Sequence, residues 1–464
     1  MKKISVLSLA ASCVAAFMIP APFAQGQAIP TVPALATSEN VEVIGNVPGP
    51  LFGLNFSGDY AYGTAPSGLT IFDISEPANP TVIGEFPLPH FENEDVDICG
   101  DTLLITNDRE TRDIGAVLYV LDISDPGAPA LLSETPVGGT GADGVRGGGH
   151  IANFVSDNCR WVWLDGGDQV DVIDLKDRAT PVHVGRFDSV ASHSPAFKVS
   201  HDTEKDGRGI LWNVGGGGAA GYKLTKDPLK PKLVAETGPE ASNPSDLNDF
   251  ILHNSKRRGK TLMVTEEDYI DTDEAQPGSC NGQGKFETYA LRNMPKVKAK
   301  NKAKRNRTGK VENLDTWQTE LNGIVAGGAE DSKAPVTVNC SSHWFDEQNG
   351  VAAVGWYEQG TRFLDVTNPK DIRQVGYYLP LNGSTWASYW SPTDPTGTIV
   401  YTADAYRGLD VLKIDNSGLD AETTTAPVPD SWFGSGLGIP VVSPLSLKAH
   451  PVFGWACPIP LGRL

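Results

Sequence analysis

Gly115 to Pro136 reads GAVLYVLDISDPGAPALLSETP. Val117, Tyr119 and Leu121 alternate with their neighbours, Asp122 closes the run, Asp125-Pro126-Gly127 forms a turn, and a second short run follows. Alternation of period two bounded by Asp, Pro and Gly predicts a half-buried antiparallel strand pair. The phrase is repeated. Ser67 to Pro87 reads SGLTIFDISEPANPTVIGEFP, Asp168 to Phe187 reads DQVDVIDLKDRATPVHVGRF, and Gly360 to Tyr378 reads GTRFLDVTNPKDIRQVGYY. Gly221 to Thr237, GYKLTKDPLKPKLVAET, is a weaker copy, and Gly408 to Asp415, GLDVLKID, keeps only the first strand. Asp73, Asp122, Asp174 and Asp365 hold the register of the copies, at positions where a carboxylate accepts hydrogen bonds from turn amides. Neighbouring copies lie roughly 50 residues apart, the length of one four-stranded blade.

Between the copies lie their partners, each a strand, a turn and a second strand: 51–64, 92–108, 149–165, 199–215, 250–268, 338–358 and 384–404. These are seven inner hairpins, and they predict seven blades. The last blade lacks an outer strand after Ile414, while Asn40 to Pro48, NVEVIGNVP, matches the outer-strand phrase TVIGEFP of the first copy. An N-terminal strand completing the last blade would close the ring and remove its open edges.

The strands written LYVLD, VDVID and RFLDV resemble the LVIVD repeat family of bacterial and archaeal propellers, over about residues 41 to 415. The resemblance implies an all-β fold, a seven-bladed β-propeller of four-stranded antiparallel blades. It carries little about function, because function lives in sites built on a fold.

Composition agrees with many short strands joined by turns: 40% of the 464 residues are hydrophobic, with 50 Gly and 34 Pro. A net charge of −19 argues against nucleic acid as the main partner. Met1-Lys2-Lys3, the apolar run Ile4 to Ile19 and small residues around Ala24 to Ala28 predict a signal peptide over 1–28, hence a secreted or periplasmic protein. A lipoprotein signal at Cys13 is disfavoured, since Ala10 stands where Leu, Val or Ile is wanted. No later run is long and apolar enough to span a bilayer. Export permits disulfides. Cys99 and Cys159 occupy matching turns of neighbouring repeats and are the expected pair, with Cys280 and Cys340 a weaker one.

The propeller is expected over 40–415, with a basic insertion at 295–310 and a Pro- and Gly-rich tail at 416–464. The insertion includes KVKAKNKAKRNRTGK; a solvated loop is its plain reading, a docking arm for an acidic polymer the sharper one. Trp432, Phe453 and Trp455 are candidate anchors of the tail.

Four histidines fall in one slot of four successive inner strands: His150, His201, His253 and His343. Neutral imidazoles converging from different strands suit Zn, Fe or Cu. The arrangement resembles that of carotenoid-cleaving oxygenases, propellers holding iron by histidines, and of methanethiol oxidases of the selenium-binding type. Because side chains alternate faces, an odd offset in register would turn His150 away. Glu94 or Asp95 occupies a similar slot in the second blade and Ser388 in the seventh; a carboxylate there could orient an imidazole, as could Glu266 or Glu267. Asp202 and Asn254 are expected to face the neighbouring sheets. The acidic stretch Glu266 to Glu274 lacks the spacing of a calcium loop, and Gly215 to Gly218 opens no helix that would cradle phosphate. A lyase or hydrolase using Tyr222, Tyr269 or Tyr389 beside a histidine is a third option.

Two functions compete. One is a secreted binding or scaffold propeller at the cell surface, holding a peptide, polymer or small-molecule ligand on its face. The other is a metal-dependent oxidase or oxygenase centred on the four histidines. The second requires the imidazoles to converge; the first does not.

Overall fold

The computed structural model describes residues 34–88, 95–107, 116–139, 144–194, 198–237, 251–267, 284–295, 301–319, 341–357, 359–380 and 383–416. The signal segment, Glu94, Tyr269, the Cys280–Cys340 pair and the tail anchors lie outside these residues. The strands in chain order are β1 (Ala34–Thr37), β2 (Val41–Val47), β3 (Leu54–Ser57), β4 (Tyr60–Ala65), β5 (Gly68–Asp73), β6 (Thr81–Pro87), β7 (Val96–Cys99), β8 (Thr102–Asn107), β9 (Ala116–Asp122) and β10 (Ala130–Val137). They continue with β11 (Ile151–Phe154), β12 (Trp161–Asp165), β13 (Val170–Asp174), β14 (Val182–Phe187), β15 (Ser200–Lys205), β16 (Leu211–Gly215), β17 (Gly218–Lys223), β18 (Lys232–Thr237), β19 (Ile251–Arg258) and β20 (Thr261–Glu267). The remainder are β21 (Phe286–Arg292), β22 (Gly309–Trp317), β23 (Trp344–Gln348), β24 (Val351–Gly355), β25 (Thr361–Asp365), β26 (Arg373–Pro380), β27 (Thr385–Trp390), β28 (Ile399–Asp404) and β29 (Gly408–Ile414).

The fold is all-β and built from four-stranded antiparallel units. β3–β6, β7–β10 and β11–β14 are separate four-stranded sheets. β15–β18 and β19–β22 join through a parallel β18–β22 contact, and β23–β26 joins β27–β29 through a parallel β23–β27 contact. β2 pairs antiparallel with β29, from Val41 opposite Ile414 to Val47 opposite Leu409. β1 adds a further strand on β26, which the repeat pattern did not signal. Within the basic insertion, Lys302–Asn306 forms a short exposed helix, and the outer strand β22 starts at Gly309, inside the span 295–310 read as insertion.

The decisive phrase is buried on both faces, not one. In β9, Val117, Tyr119 and Leu121 pack with Leu69, Ile71 and Leu103, while Leu118 and Val120 pack with Val162, Leu164 and Ile173. A sheet lying between two others needs apolar side chains at every position, so the strict alternation of a one-sided sheet gives way to a continuous apolar run. Each such Val or Leu contributes about 1.5–3 kcal/mol on burial. The same two-sided packing continues from unit to unit, and one further cluster brings Tyr401, Leu409 and Val411 against Leu54, Ala61 and Phe72.

Turn chemistry sets the outer strand pairs. Asp73, Asp122, Asp174 and Asp365 accept the backbone N–H groups of Ser75, Ser124, Lys176 and Thr367 at 2.8–2.9 Å. Polar links cross the seams between inner strands. Asn55 donates to the Val96 carbonyl at 2.8 Å, Asp97 accepts from Phe154 N at 2.6 Å, Asn153 from Thr203 N at 3.3 Å, and Asp202 from Asn254 Nδ2 at 3.1 Å. Lys256 pairs with Asp346, which also accepts from Trp390 N at 3.2 Å. Phe56 packs against Tyr389 and Tyr401. At the turn end, the Cys99–Cys159 disulfide joins neighbouring units, with Cα atoms 5.6 Å apart.

Two outcomes follow from these seams. Burial pushes the Asp97 carboxyl up to about 7 against the Phe154 and Ile98 amides, with Glu204 raising it further and Lys205 opposing. A carboxyl raised above its unfolded value of about 3.9 contributes stability that is complete below about pH 4 and is lost as the pH climbs through its folded value. Burial pushes Asp165 and Asp404 up to about 6, in the same sense. The urea midpoint should therefore fall less between pH 4 and 7 in Asp97→Asn than in the wild type. Replacing Cys99 and Cys159 together by Ser should cost about 2–4 kcal/mol in the same measurement.

Candidate metal centre

The inner strands carry bulges where the histidines stand. The β15–β16 register shifts between Ser200 and Asp202, leaving His201 as the extra residue. The β19–β20 register shifts between Leu252 and Asn254, leaving His253, and the β27–β28 register shifts between Thr385 and Ala387, leaving Trp386. A bulge takes one residue out of the alternation and re-aims its side chain. His343 directly precedes β23. His201, His253 and His343 are all fully buried.

Their rings follow one another across the seams. Centroids lie 5.2 Å apart for His150 and His201, 4.1 Å for His201 and His253, and 3.9 Å for His253 and His343. His201 Nδ1 lies 2.9 Å from the His253 carbonyl oxygen, and His343 Nδ1 lies 2.9 Å from the Trp386 carbonyl oxygen. A carbonyl only accepts, so each Nδ1 carries the hydrogen and each neutral ring keeps its lone pair on Nε2. This is how metal-binding histidines are oriented: the far ring nitrogen donates to a carbonyl and fixes the tautomer.

Glu267, at the end of β20, brings a carboxylate to the same place. It is fully buried, with Oε2 3.9 Å from His253 Nε2 and Oε1 3.9 Å from His343 Nε2. Ligand atoms of His201, His253 and Glu267 lie within 4.8 Å of one another. The hydroxyl of Tyr357 donates to Glu267 Oε1. Trp344 lies 4.7 Å from the His253 ring, and Trp386 lies 5.1 Å from the His343 ring. Tyr357 itself has φ +31°, a left-handed backbone that a bulky side chain adopts at a cost of about 1–3 kcal/mol.

Supporting contacts fix the strand that holds His201. Asp165 Oδ1 accepts from Ser200 Oγ at 2.6 Å and Asn213 Nδ2 at 2.9 Å, and Oδ2 accepts from Thr203 Oγ1 at 2.8 Å. Those three residues bracket the His201 bulge from both sides. At Gly148 an added Cβ would stand 2.1 Å from the Leu164 carbonyl oxygen, so only glycine lets the chain reach the inner strand beside His150.

Sequence reading and structure differ at several positions. His150 is buried with its ring 5.2 Å from that of His201; the donors gathered within 4.8 Å among the described residues are those of His201, His253 and Glu267, a set that includes neither His150 nor His343. Glu266 turns away and pairs with Lys285 at 3.4 Å, because adjacent strand residues point to opposite faces; Glu267 faces the histidines instead. Asp95 exerts its charge on Asp202, whose carboxyl burial holds well above the usual range. The slot matching the histidines in the last unit is the bulge at Trp386, and Ser388 bonds Thr361 and Thr402. Tyr222 bonds Ser189 and Val190 N, away from the centre. Tyr357 was not legible, since it comes from the β24–β25 connection. Glu267 was one of the two carboxylates offered by the sequence; in TLMVTEE it shares its face with Met263, which packs toward Phe345.

The LVIVD repeat family matches residues 53–87 and 113–135, so the chain carries LVIVD repeats. No curated protein matches the sequence. Among solved structures, the β-propeller domain of Cps50 (Swd1) from Myceliophteria thermophila aligns at 11% identity and a TM-score of 0.48, covering 80% of this chain and 98% of that one. BamB from Moraxella catarrhalis aligns at 13% identity and a TM-score of 0.39, covering 78% and 82%.

Removing the Asp165 carboxylate takes the acceptor from two buried hydroxyls, Ser200 Oγ and Thr203 Oγ1, each costing about 1–3 kcal/mol when unpaired, while Asn213 Nδ2 keeps the Asp202 carbonyl. Asp165→Ala should lower unfolding free energy by at least about 2 kcal/mol in urea, and Asp165→Asn by less.

Proposed function

Starting from its LVIVD repeats, we propose that the chain is an exported seven-bladed β-propeller, closed by β2 in the last blade, whose function resides in a metal centre formed by His201, His253, Glu267 and His343. The closed ring is supported by the β2–β29 pairing and by the packing of Tyr401 and Leu409 against Leu54 and Phe72. Export is supported by the Cys99–Cys159 disulfide, a bond that persists in oxidising compartments. The centre rests on one observation: buried donors of His201, His253 and Glu267, from separate strands, lie within 4.8 Å of one another, and His343 Nε2 stands beside them, 3.9 Å from Glu267 Oε1.

The residues fit a divalent transition metal. Neutral imidazoles suit Fe, Cu and Zn, and one carboxylate offsets part of the ion's charge. Bound there, the ion would supply Lewis-acid or one-electron chemistry, and the likeness of arrangement to histidine-iron propellers places an oxidase or oxygenase ahead of a hydrolase. The chain's own residues bind and shield. Carbonyls 253 and 386 orient the imidazoles, and Trp344 and Trp386 exclude water from their edges.

A second reading, a binding or scaffold propeller at the cell surface, is favoured by a separate feature. The outer strands β6, β10 and β14 each expose one large apolar side chain, Val82, Leu131 and Val182, available to a peptide, polymer or small ligand.

Elemental analysis of mature protein purified without chelator separates the two. About one equivalent of Fe, Cu or Zn is expected, lost in His253→Ala. Absence of metal after incubation with each ion would overturn the metal centre and leave the binding propeller.

A further inference from the structure

Among the described residues, four other than glycine have positive φ: Cys159, Asn293, Asn349 and Tyr357. Asn adopts this conformation readily, and Cys159 is held in a disulfide-linked turn. Tyr357 is the bulky, fully buried one. Its carbonyl accepts from Thr385 N at 2.8 Å and Gly360 N at 3.1 Å, which pins the backbone from both sides. Glycine would take this conformation without strain. What the tyrosine adds is its side chain, and that side chain reaches the centre.

The phenol ring lies 4.8 Å from the His343 ring and 5.6 Å from Trp386, and its hydroxyl donates to Glu267 Oε1. The other oxygen, Oε2, lies 3.9 Å from His253 Nε2, while the bonded Oε1 lies 3.9 Å from His343 Nε2. Resting on the metal-centre reading above, we propose that Tyr357 is the positioning residue of that centre. It occupies one oxygen of Glu267 and presents the other, so that the carboxylate meets the ion through a single oxygen. A buried tyrosine bonded to a buried acid could serve packing alone, and the two roles separate in metal affinity rather than in folding. Outer partners of metal ligands typically change affinity by about 10–100-fold when removed.

The test is Co(II) titration of metal-free wild type, Tyr357→Phe and Glu267→Gln, followed by visible absorption. Phe keeps the ring and removes the hydroxyl. The wild type should bind Co(II), Glu267→Gln should bind it far more weakly, and Tyr357→Phe should bind about 10–100-fold more weakly with an altered visible spectrum. Equal affinity and an unchanged spectrum in Tyr357→Phe would overturn the positioning role while leaving the centre intact. Absence of Co(II) and Zn(II) binding by the wild type would overturn the centre itself. Should Tyr357→Phe fail to fold, tyrosine difference absorption on Zn(II) addition decides the matter: a signal in the wild type that Glu267→Gln lacks supports the role, and no signal in the wild type overturns it.

Discussion

Burial of the middle strands on both faces is the constraint from which the rest of the structure follows. β9 sends Val117, Tyr119 and Leu121 to one neighbouring sheet and Leu118 and Val120 to the other. No unit is complete alone, because each leaves an apolar face that only the next unit covers. Repeat proteins share this property: neighbours supply one another's core. The N-terminal strand β2 serves the same need, pairing its backbone with β29 while Val41 joins Leu412 and Ile414 in a shared core.

The candidate centre is a product of those seams. His201, His253 and His343 stand on different units, and two of their Nδ1 atoms face a carbonyl of the following unit. Packing that brings units together thus also sets the tautomer of the rings. The bulges at His201 and His253 matter equally, since regular alternation would have divided these side chains between faces. Fold and site share the same few backbone irregularities. Asp165 ties the two together, anchoring Ser200, Thr203 and Asn213 around one bulge.

Buried acids recur along the inner strands. Asp97, Asp165 and Asp202 are all pushed up by burial, yet each crosses or borders a seam through hydrogen bonds to the neighbouring strand. A carboxylate with two oxygens can bridge two strands where an apolar side chain can only pack. These groups trade stability at neutral pH for fixed register between units.

The sequence alone determined what is local and periodic: the repeated strand pairs, the aspartate turns, the inner hairpins, the matching turns that carry Cys99 and Cys159, and the slot holding the histidines. Each depends on neighbours in the chain or on one copy matching the next. Tertiary structure decided what depends on parity and on contacts across seams. A one-residue difference selects Glu267 over Glu266, because adjacent strand side chains face opposite ways. Of the four imidazoles, His201 and His253 join Glu267 in the donor set among the described residues, and Tyr357 enters from a connection with no repeat signature. Alternation fixes which faces a strand has; only the bulges and the neighbouring sheet decide which side chains meet.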